Sequence, residues 1–203
     1  MMVPMTSRHA AAQPPAGARP LSLAGYAGLA GFFALEAMVR RGGPAASLKA
    51  TADDEGSTQR IVVASAIAGL AAPVVRRLPA PAMPRSAARA GIAAQVLGIG
   101  LRAWSMRVLG ASYSRTLHVE STPAVIDDGP YAVVRHPGYL GSLMIWLGFA
   151  LTSRSPLVVA LVAAVVGDAY RRRIVAEERM LERDLPDYAA YARRTARLIP
   201  YVW

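Results

Sequence analysis

Long apolar segments, each closed by arginine, constrain the fold of this chain more than any other feature. Leu21–Val39 would be about 28 Å long as a helix, and Ile61–Leu78 and Ala87–Leu109 are of similar length. Segments of this length can cross the hydrocarbon core of a membrane, where the backbone must satisfy its own hydrogen bonds. The three segments therefore predict spanning helices and an all-α, polytopic membrane protein.

Two shorter apolar segments follow, and they predict a helical hairpin. Gly138–Thr152 would be only about 22 Å long as a helix, and Ser153–Pro156 is a turn signal before Leu157–Tyr170. The hairpin brings the expected total to about five transmembrane helices. Arg171–Leu185 predicts a charged helical continuation, which Pro186 ends, and a cytoplasmic helical tail completes the chain.

Composition agrees with a membrane protein and argues against several kinds of site. Of the 203 residues, 54% are hydrophobic, and the mean hydropathy is +0.29. The net charge of +10 comes from basic residues that flank apolar segments, so membrane lipids rather than nucleic acid are the expected partners. Because the chain has no cysteine and only three unpaired histidines, no metal site is expected.

The chain divides into three predicted regions with a preferred orientation. Residues 1–20 are rich in proline and predict a disordered tail, residues 21–86 hold two transmembrane helices, and residues 87–203 hold the remaining helices. Arginine is strongly preferred over lysine and alanine is abundant, which indicates a GC-rich bacterial genome. Most basic residues fall on the side of the carboxyl terminus, which predicts an inner-membrane protein with its polar clusters facing the cytoplasm.

The first polar cluster is Gly129–Gly141, GPYAVVRHPGYLG, immediately before the hairpin. Its prolines and glycines predict irregular backbone at membrane level, which is tolerated where it is buried in protein or lines a cavity. His136, held by the following proline, is either a structural residue at a helix start or part of a polar ligand site. Two tyrosines in the same stretch favour the ligand site.

The second polar cluster is Arg171–Glu178, RRRIVAEE, on the far side of the hairpin. A hairpin would bring the two clusters to the same membrane surface. Arg173 and Glu177 have the spacing of a helical salt bridge, and the three arginines could simply anchor the helix. A pair of carboxylates beside a membrane is costly without cationic partners, so a bound ligand is the alternative. Glu36 and Asp168 near the same surface either pair with arginines or mark a substrate path.

At these residues the chain resembles the isoprenylcysteine carboxyl methyltransferase and phospholipid methyltransferase superfamily of integral membrane enzymes. The matching motif is G-P-Y-x-x-x-R-H-P-x-Y-x-G at Gly129–Gly141, followed by R-x-x-x-E-E-x-x-L at Arg173–Leu181. Tyr188, Tyr191 and the L-I-P of Leu198–Pro200 complete the likeness. It covers roughly residues 87–203, which would form the methyltransferase core.

The resemblance implies a cofactor, S-adenosylmethionine, and a set of site residues. The cofactor would bind among residues of both motifs and of the segment before the first: Ala124, Val125, Ile126, Tyr131, His136, Pro137, Gly138, Tyr139 and Glu177. Arg173 and Glu177 would be the catalytic residues, and Arg173 and Glu178 would face the substrate. Many family members have a histidine where this chain has Pro123.

The implied chemistry is methyl transfer to a lipophilic acceptor, a lipid or isoprenoid-like molecule, most simply at a carboxylate. A carboxylate needs little acid–base assistance, and an arginine would hold it by charge-assisted hydrogen bonds. Two alternatives remain open. Membrane reductases of the sterol type share a similar HP-x-Y-x-G and use NADPH, although Glu177 and Glu178 favour the methyltransferase. A non-catalytic membrane lipid-binding protein is the other.

Overall fold

The computed structural model describes residues 18–40, 55–110 and 125–200. Within these ranges the chain forms six α-helices: α1 (Ala18–Arg40), α2 (Ser57–Val75), α3 (Arg85–Leu109), α4 (Pro137–Thr152), α5 (Pro156–Asp184) and α6 (Tyr188–Arg194). Extended pairing in the same ranges is limited to an isolated parallel bridge between Val134 and Ala196. The prediction of an all-α protein is confirmed for these ranges, whereas the predictions for residues 1–17 and for Ala124 concern residues outside them.

Two of the described helices are long and apolar enough to cross a membrane, over Leu21–Met38 in α1 and Ser57–Val75 in α2. Only 17% of each span is buried within the protein, so most of its surface is available to lipid. The outward apolar residues of α2 include Val62, Val63, Ile67, Leu70 and Val74. Helix α4 is apolar but shorter. The total of five crossings and the cytoplasmic position of the tail stay predictions.

Helix α2 begins and ends about one turn earlier than the predicted span Ile61–Leu78. Its first turn carries Ser57 and Thr58, which contact a side chain of α5 rather than lipid. The apolar pattern could not reveal this turn, because its residues are polar and are held by the protein.

Helices α3 and α4 approach so closely that only glycine fits where they cross. A Cβ atom on Gly98 would lie 2.6 Å from the carbonyl oxygen of Gly141, and one on Gly91 would lie 2.5 Å from that of Gly148. By residue type alone, Gly91, Gly98 and Gly100 all predict close approach of a neighbouring helix. The prediction is confirmed for Gly91 and Gly98 and is wrong for Gly100, because a Cβ atom there would meet open space.

Helix α5 joins the buried core to the second polar cluster. Ser155 caps it by accepting a hydrogen bond from the Val158 amide, so the hairpin turn also starts the helix. The helix then runs unbroken to Asp184, about 43 Å at the standard rise. Its apolar half packs within the bundle, where the fully buried residues include Ile145, Trp146, Val158, Val162 and Val166. Its charged half carries Arg171–Glu178, of which Arg173 and Glu178 are buried against the rest of the protein.

The carboxyl-terminal tail folds back onto the loop that precedes α4. The Ala196 amide donates to the Val133 carbonyl at 3.1 Å, and the Ala196 carbonyl accepts from the Arg135 amide at 2.8 Å. The His136 amide donates to the Arg197 carbonyl at 3.2 Å. These backbone hydrogen bonds bring the end of the chain into the first polar cluster.

The crossing of α3 and α4 provides a stability test with an internal control. We expect Gly98→Ala to lower the stability of the purified protein by about 1–3 kcal/mol, because the added methyl group must displace backbone. Gly100→Ala lies two residues away in open space, and it should leave stability unchanged or slightly increased. Thermal unfolding in detergent compares the two variants, and equal midpoints would contradict the close crossing.

Candidate active site

The first polar cluster lies in the loop that enters α4. A short 3₁₀ turn covers Gly129–Ala132. The φ of 56° at Gly129 favours glycine, and Tyr131 within the turn is buried. His136 precedes α4 without capping it through its side chain. Its imidazole instead lies nearly parallel to the Tyr139 ring, with centroids 5.6 Å apart and an angle of 15° between the planes. Pro137 is the first residue of α4, a position that suits proline. His136 just before the helix and Tyr139 in its first turn form a stacked pair.

Arg173 and Glu177, one turn apart on α5, meet the first cluster through Tyr139. The Tyr139 hydroxyl donates a hydrogen bond to Glu177 Oε2 and accepts one from Arg173 Nε at 3.0 Å. The direct separation of Arg173 Nε and Glu177 Oε2 is longer, at 3.8 Å. The second nitrogen of the guanidinium, Nη1, donates to the hydroxyls of Ser57 at 3.1 Å and Thr58 at 3.0 Å. Three helices thus fix this one arginine.

Glu178 faces a different set of partners and is almost fully buried. Its Oε1 accepts from Arg135 Nε at 2.8 Å and lies 3.2 Å from His136 Nε2, while its Oε2 contacts Arg197 Nη2 at 2.6 Å. Burial favours the protonated carboxyl, but hydrogen bonds from His136 and Arg135 outweigh it and lower the pKa of Glu178 to about 2. The side chain is therefore ionised at neutral pH, and it binds the loop and the tail to α5.

Tyr188, at the start of α6, supplies a buried hydroxyl with no hydrogen-bonding partner in the described part of the chain. Its ring packs with Leu185 and Tyr191, and Val125 packs against the same cluster. Burial and the nearby charge of Glu178 raise the pKa of the Tyr188 hydroxyl, so it stays a proton donor. A buried donor without an acceptor in these ranges is unusual, and it is available to a bound ligand.

Behind the loop, Arg102 of α3 ties α1 to the first turn of α4. Its Nε donates to Glu36 Oε1 at 2.6 Å, and its Nη1 donates to the Gly138 carbonyl and to Ser142 Oγ, both at 2.9 Å. Of the two roles predicted for Glu36, the structure therefore supports pairing with an arginine. The hydrogen bond from Arg102 to the Gly138 carbonyl therefore holds the start of α4 against α3.

The structure joins five of the eleven predicted site residues through side-chain contacts. These five are His136, Tyr139, Arg173, Glu177 and Glu178.

The remaining predicted residues lie around this set or away from it. Val125 and Ile126 are half-buried, and Val125 covers the cluster around Tyr188. Tyr131 offers its carbonyl to the Tyr191 hydroxyl at 2.8 Å. Asp168 is outside the site, on the exposed surface of α5, where it pairs with Arg171 and Arg172.

Sequence reasoning missed five participants: Ser57, Thr58, Arg135, the Tyr188 hydroxyl as a buried donor, and Arg197. Arg135 could have been found, because it directly precedes His136 in the motif and a buried carboxylate needs a cation. Ser57 and Arg197 carry no comparable signal, since each is distant in sequence from its partner.

These residues suit S-adenosylmethionine in their donors and acceptors. The ribose hydroxyls and the ammonium group of that molecule need acceptors, and its carboxylate and adenine nitrogens need donors. Glu177 is a partly exposed carboxylate that accepts a hydrogen bond from Tyr139 and lies 3.8 Å from Arg173. The Tyr188 hydroxyl is a buried donor still lacking an acceptor in the same ranges. One acceptor and one donor are thus available in the same region.

A family model described as phospholipid methyltransferase matches residues 87–187, which include both polar clusters. Protein-S-isoprenylcysteine O-methyltransferase B of Arabidopsis thaliana is 28% identical over 115 residues, or 55% of this chain and 58% of that protein. The cobalt-zinc-cadmium resistance protein CzcN of Cupriavidus metallidurans is 31% identical over 109 residues, or 52% of this chain and 47% of that protein. The chain thus spans about half the length of these relatives.

The fold is also similar to that of a solved structure. The eukaryotic intramembrane Ras methyltransferase ICMT matches with a TM-score of 0.56 over 71% of this chain and 53% of that chain. At 18% identity, this likeness concerns the fold alone.

The family match covers residues 87–187, which carry both motifs, and the relatives include a methyltransferase. The chain belongs to the isoprenylcysteine carboxyl methyltransferase and phospholipid methyltransferase superfamily of membrane methyltransferases.

Proposed function

We propose that this protein transfers a methyl group from S-adenosylmethionine to a lipophilic acceptor, most simply the carboxylate of a lipid or isoprenoid-like acid. The observation that carries the proposal is the contact of Tyr139 with both Arg173 and Glu177. It joins the two motifs of the family at one point, beside the apolar hairpin, where a cofactor from water and a substrate from lipid could meet.

The cofactor side of the site centres on Glu177. Its partly exposed carboxylate would accept hydrogen bonds from the cofactor's ribose or ammonium group. His136 and Tyr139 would line the same side, the Tyr188 hydroxyl would donate, and the segment of Val125 would cover the pocket. Pro137, Gly138, Ile126, Tyr131 and Ala124 complete the proposed surroundings. When bound, S-adenosylmethionine supplies a methyl group on a positively charged sulfur.

The acceptor side centres on Arg173. Its guanidinium is fixed by Ser57, Thr58 and Tyr139, so it can hold a substrate carboxylate without first losing side-chain freedom. A carboxylate oxygen already has the electron pair that forms the new bond to the methyl carbon. The protein therefore needs to align the reactants and exclude water, and no proton has to be removed.

Glu178 fits a positioning role better than direct substrate contact. Both of its oxygens already have cationic partners, from Arg135, His136 and Arg197. A substrate would have to displace one of them from a buried carboxylate, which is costly. We therefore assign Glu178 to holding His136 and the tail, and Arg173 alone to the acceptor.

The proposed location is the inner membrane of the cell, with the site facing the cytoplasm. Arg171, Arg172, Arg179 and Arg183 lie on the charged half of α5, at the same end as the site. Basic residues remain preferentially on the cytoplasmic side of a membrane. This orientation would give the site access to a soluble cofactor.

Binding of S-adenosylhomocysteine, the demethylated cofactor, tests the proposed class. We expect calorimetric titration of the detergent-purified protein to detect binding, and Glu177→Gln to weaken it about tenfold or more, because a charge-assisted hydrogen bond is lost. Glu182→Gln is the matched control, an exposed carboxylate on the same helix. NADPH titrated in parallel should not bind. Binding of NADPH alone would make the protein a reductase, and equal effects of the two variants would remove Glu177 from the site.

Arg173→Lys tests the acceptor side. Lysine keeps the charge but cannot make the paired contacts of a guanidinium, so we expect methyl transfer to fall by roughly 10- to 100-fold. Affinity for S-adenosylhomocysteine should stay within about twofold of the unsubstituted protein. The measurement is transfer of a labelled methyl group to a panel of isoprenoid and fatty carboxylic acids. Lost cofactor affinity with an unchanged rate would contradict the assignment.

Glu178 predicts a stability change with pH. Because its pKa is lowered in the folded protein, its contribution is complete above the unfolded value of about 4.5 and is lost as pH falls toward about 2. Thermal midpoints in detergent from pH 7 to pH 3 should therefore fall. Glu178→Gln should be less stable at pH 7 by roughly 3–5 kcal/mol, since buried cations lose their partner.

In the Glu178→Gln variant the decline below pH 4.5 should be shallower, because the titrating group is gone. Glu182→Gln should follow the unsubstituted protein throughout. Parallel declines in all three proteins would show that other carboxylates control acid stability.

A further inference from the structure

A second polar site lies between α2 and α5, lined by residues of α5 other than Glu177 and Glu178. A cleft of about 270 Å³ opens between the start of α2 and the charged half of α5. Polar and charged residues form most of its wall: Glu55, Ser57, Arg60, Arg171, Arg172 and Arg179. The cleft begins just beyond the apolar part of α5, at the level expected for lipid headgroups.

The charge of this cleft is strongly unbalanced. Four guanidinium groups face a single lining carboxylate, that of Glu55, which lies 3.6 Å from Arg179, with both side chains exposed. Such an exposed pair contributes little. Asp168 at the edge pairs with Arg171 and Arg172, and each of those arginines keeps further donors. Arg60 makes no ion pair with any described residue. The cleft therefore retains unneutralised positive charge.

Arginines concentrated in a cleft differ from arginines that merely flank a span. A helix anchor needs only side chains that reach water separately, whereas these four come from two helices and face one space. The volume exceeds the roughly 30 Å³ of a water molecule several times, so a tetrahedral anion with a substituent fits. Guanidinium groups match the oxygens of phosphate through paired hydrogen bonds.

We propose that this cleft binds a phosphate group, that of an anionic phospholipid headgroup or a free phosphate, at a site separate from the methyl-transfer site. Its hydroxyl floor is Ser57, which is 2% exposed and also accepts the hydrogen bond from Arg173. A bound phosphate would thus lie one side chain away from the proposed acceptor arginine. The binding itself does not depend on the protein being a methyltransferase.

The test uses the full-length protein in detergent and two double variants of equal charge change. Arg60→Gln with Arg179→Gln removes two cleft guanidiniums, whereas Arg183→Gln with Arg193→Gln removes two exposed ones outside it. Native mass spectrometry with added phosphatidylglycerol, compared with phosphatidylcholine, measures retained lipid. We expect one phosphatidylglycerol to be retained preferentially, and its affinity to fall about tenfold in the cleft variant only.

Inorganic phosphate distinguishes the two sources of the anion. If phosphatidylglycerol is retained in the absence of phosphate and millimolar phosphate displaces it, the cleft is a lipid headgroup site that recognises the phosphate group. Phosphate binding without lipid retention, if it is weakened in the cleft variant only, indicates a site for the free anion. Equal loss in both double variants, or no loss in the cleft variant, would overturn the proposal. Titration of S-adenosylhomocysteine in the cleft variant reports separately on the methyl-transfer site.

Discussion

The buried carboxylate of Glu178 connects three parts of the chain that would otherwise be independent. It is fixed on α5, and its partners come from the loop before α4 and from the tail after α6. A buried charge of this kind is stable only while its cations remain, so the three parts must be assembled together. Backbone hydrogen bonds between Ala196 and residues 133 and 135 then fix the register of the tail. The orientation of the His136 imidazole follows from this assembly.

The opposite side of the loop is held by apolar packing and one arginine. Because α3 and α4 touch backbone to backbone at the Gly98–Gly141 crossing, the first turn of α4 is brought within reach of Arg102. That guanidinium binds the Gly138 carbonyl and Glu36, which also connects α1 to the site. The loop before α4 is therefore held on one side by α3 and α4 through Arg102, and on the other side by the ion pairs of Glu178.

Much of the helical architecture could be predicted from sequence, because apolar length and proline position are local properties. The helix starts at Pro137 and Pro156 lie within one residue of the predicted ones. The choice of partners was harder to predict, because it depends on which surfaces face each other. Periodicity placed Arg173 and Glu177 on one face of a helix, but it could not show that Tyr139 lies between them. The same limit explains Gly100, which has the residue type of a helix crossing and faces open space.

The hydroxyls of Ser57 and Thr58 extend the site beyond the part of the chain that matches the family. They belong to α2, whereas the family match covers residues 87–187. A fragment that began at residue 87 would keep every motif residue, yet the Arg173 guanidinium would lose these two acceptors. The side chains that hold Arg173 thus include residues outside the segment that matches the family model. A change in α2 could therefore alter how Arg173 is held while leaving Tyr139 and Glu177, the other contacts of the motif, in place.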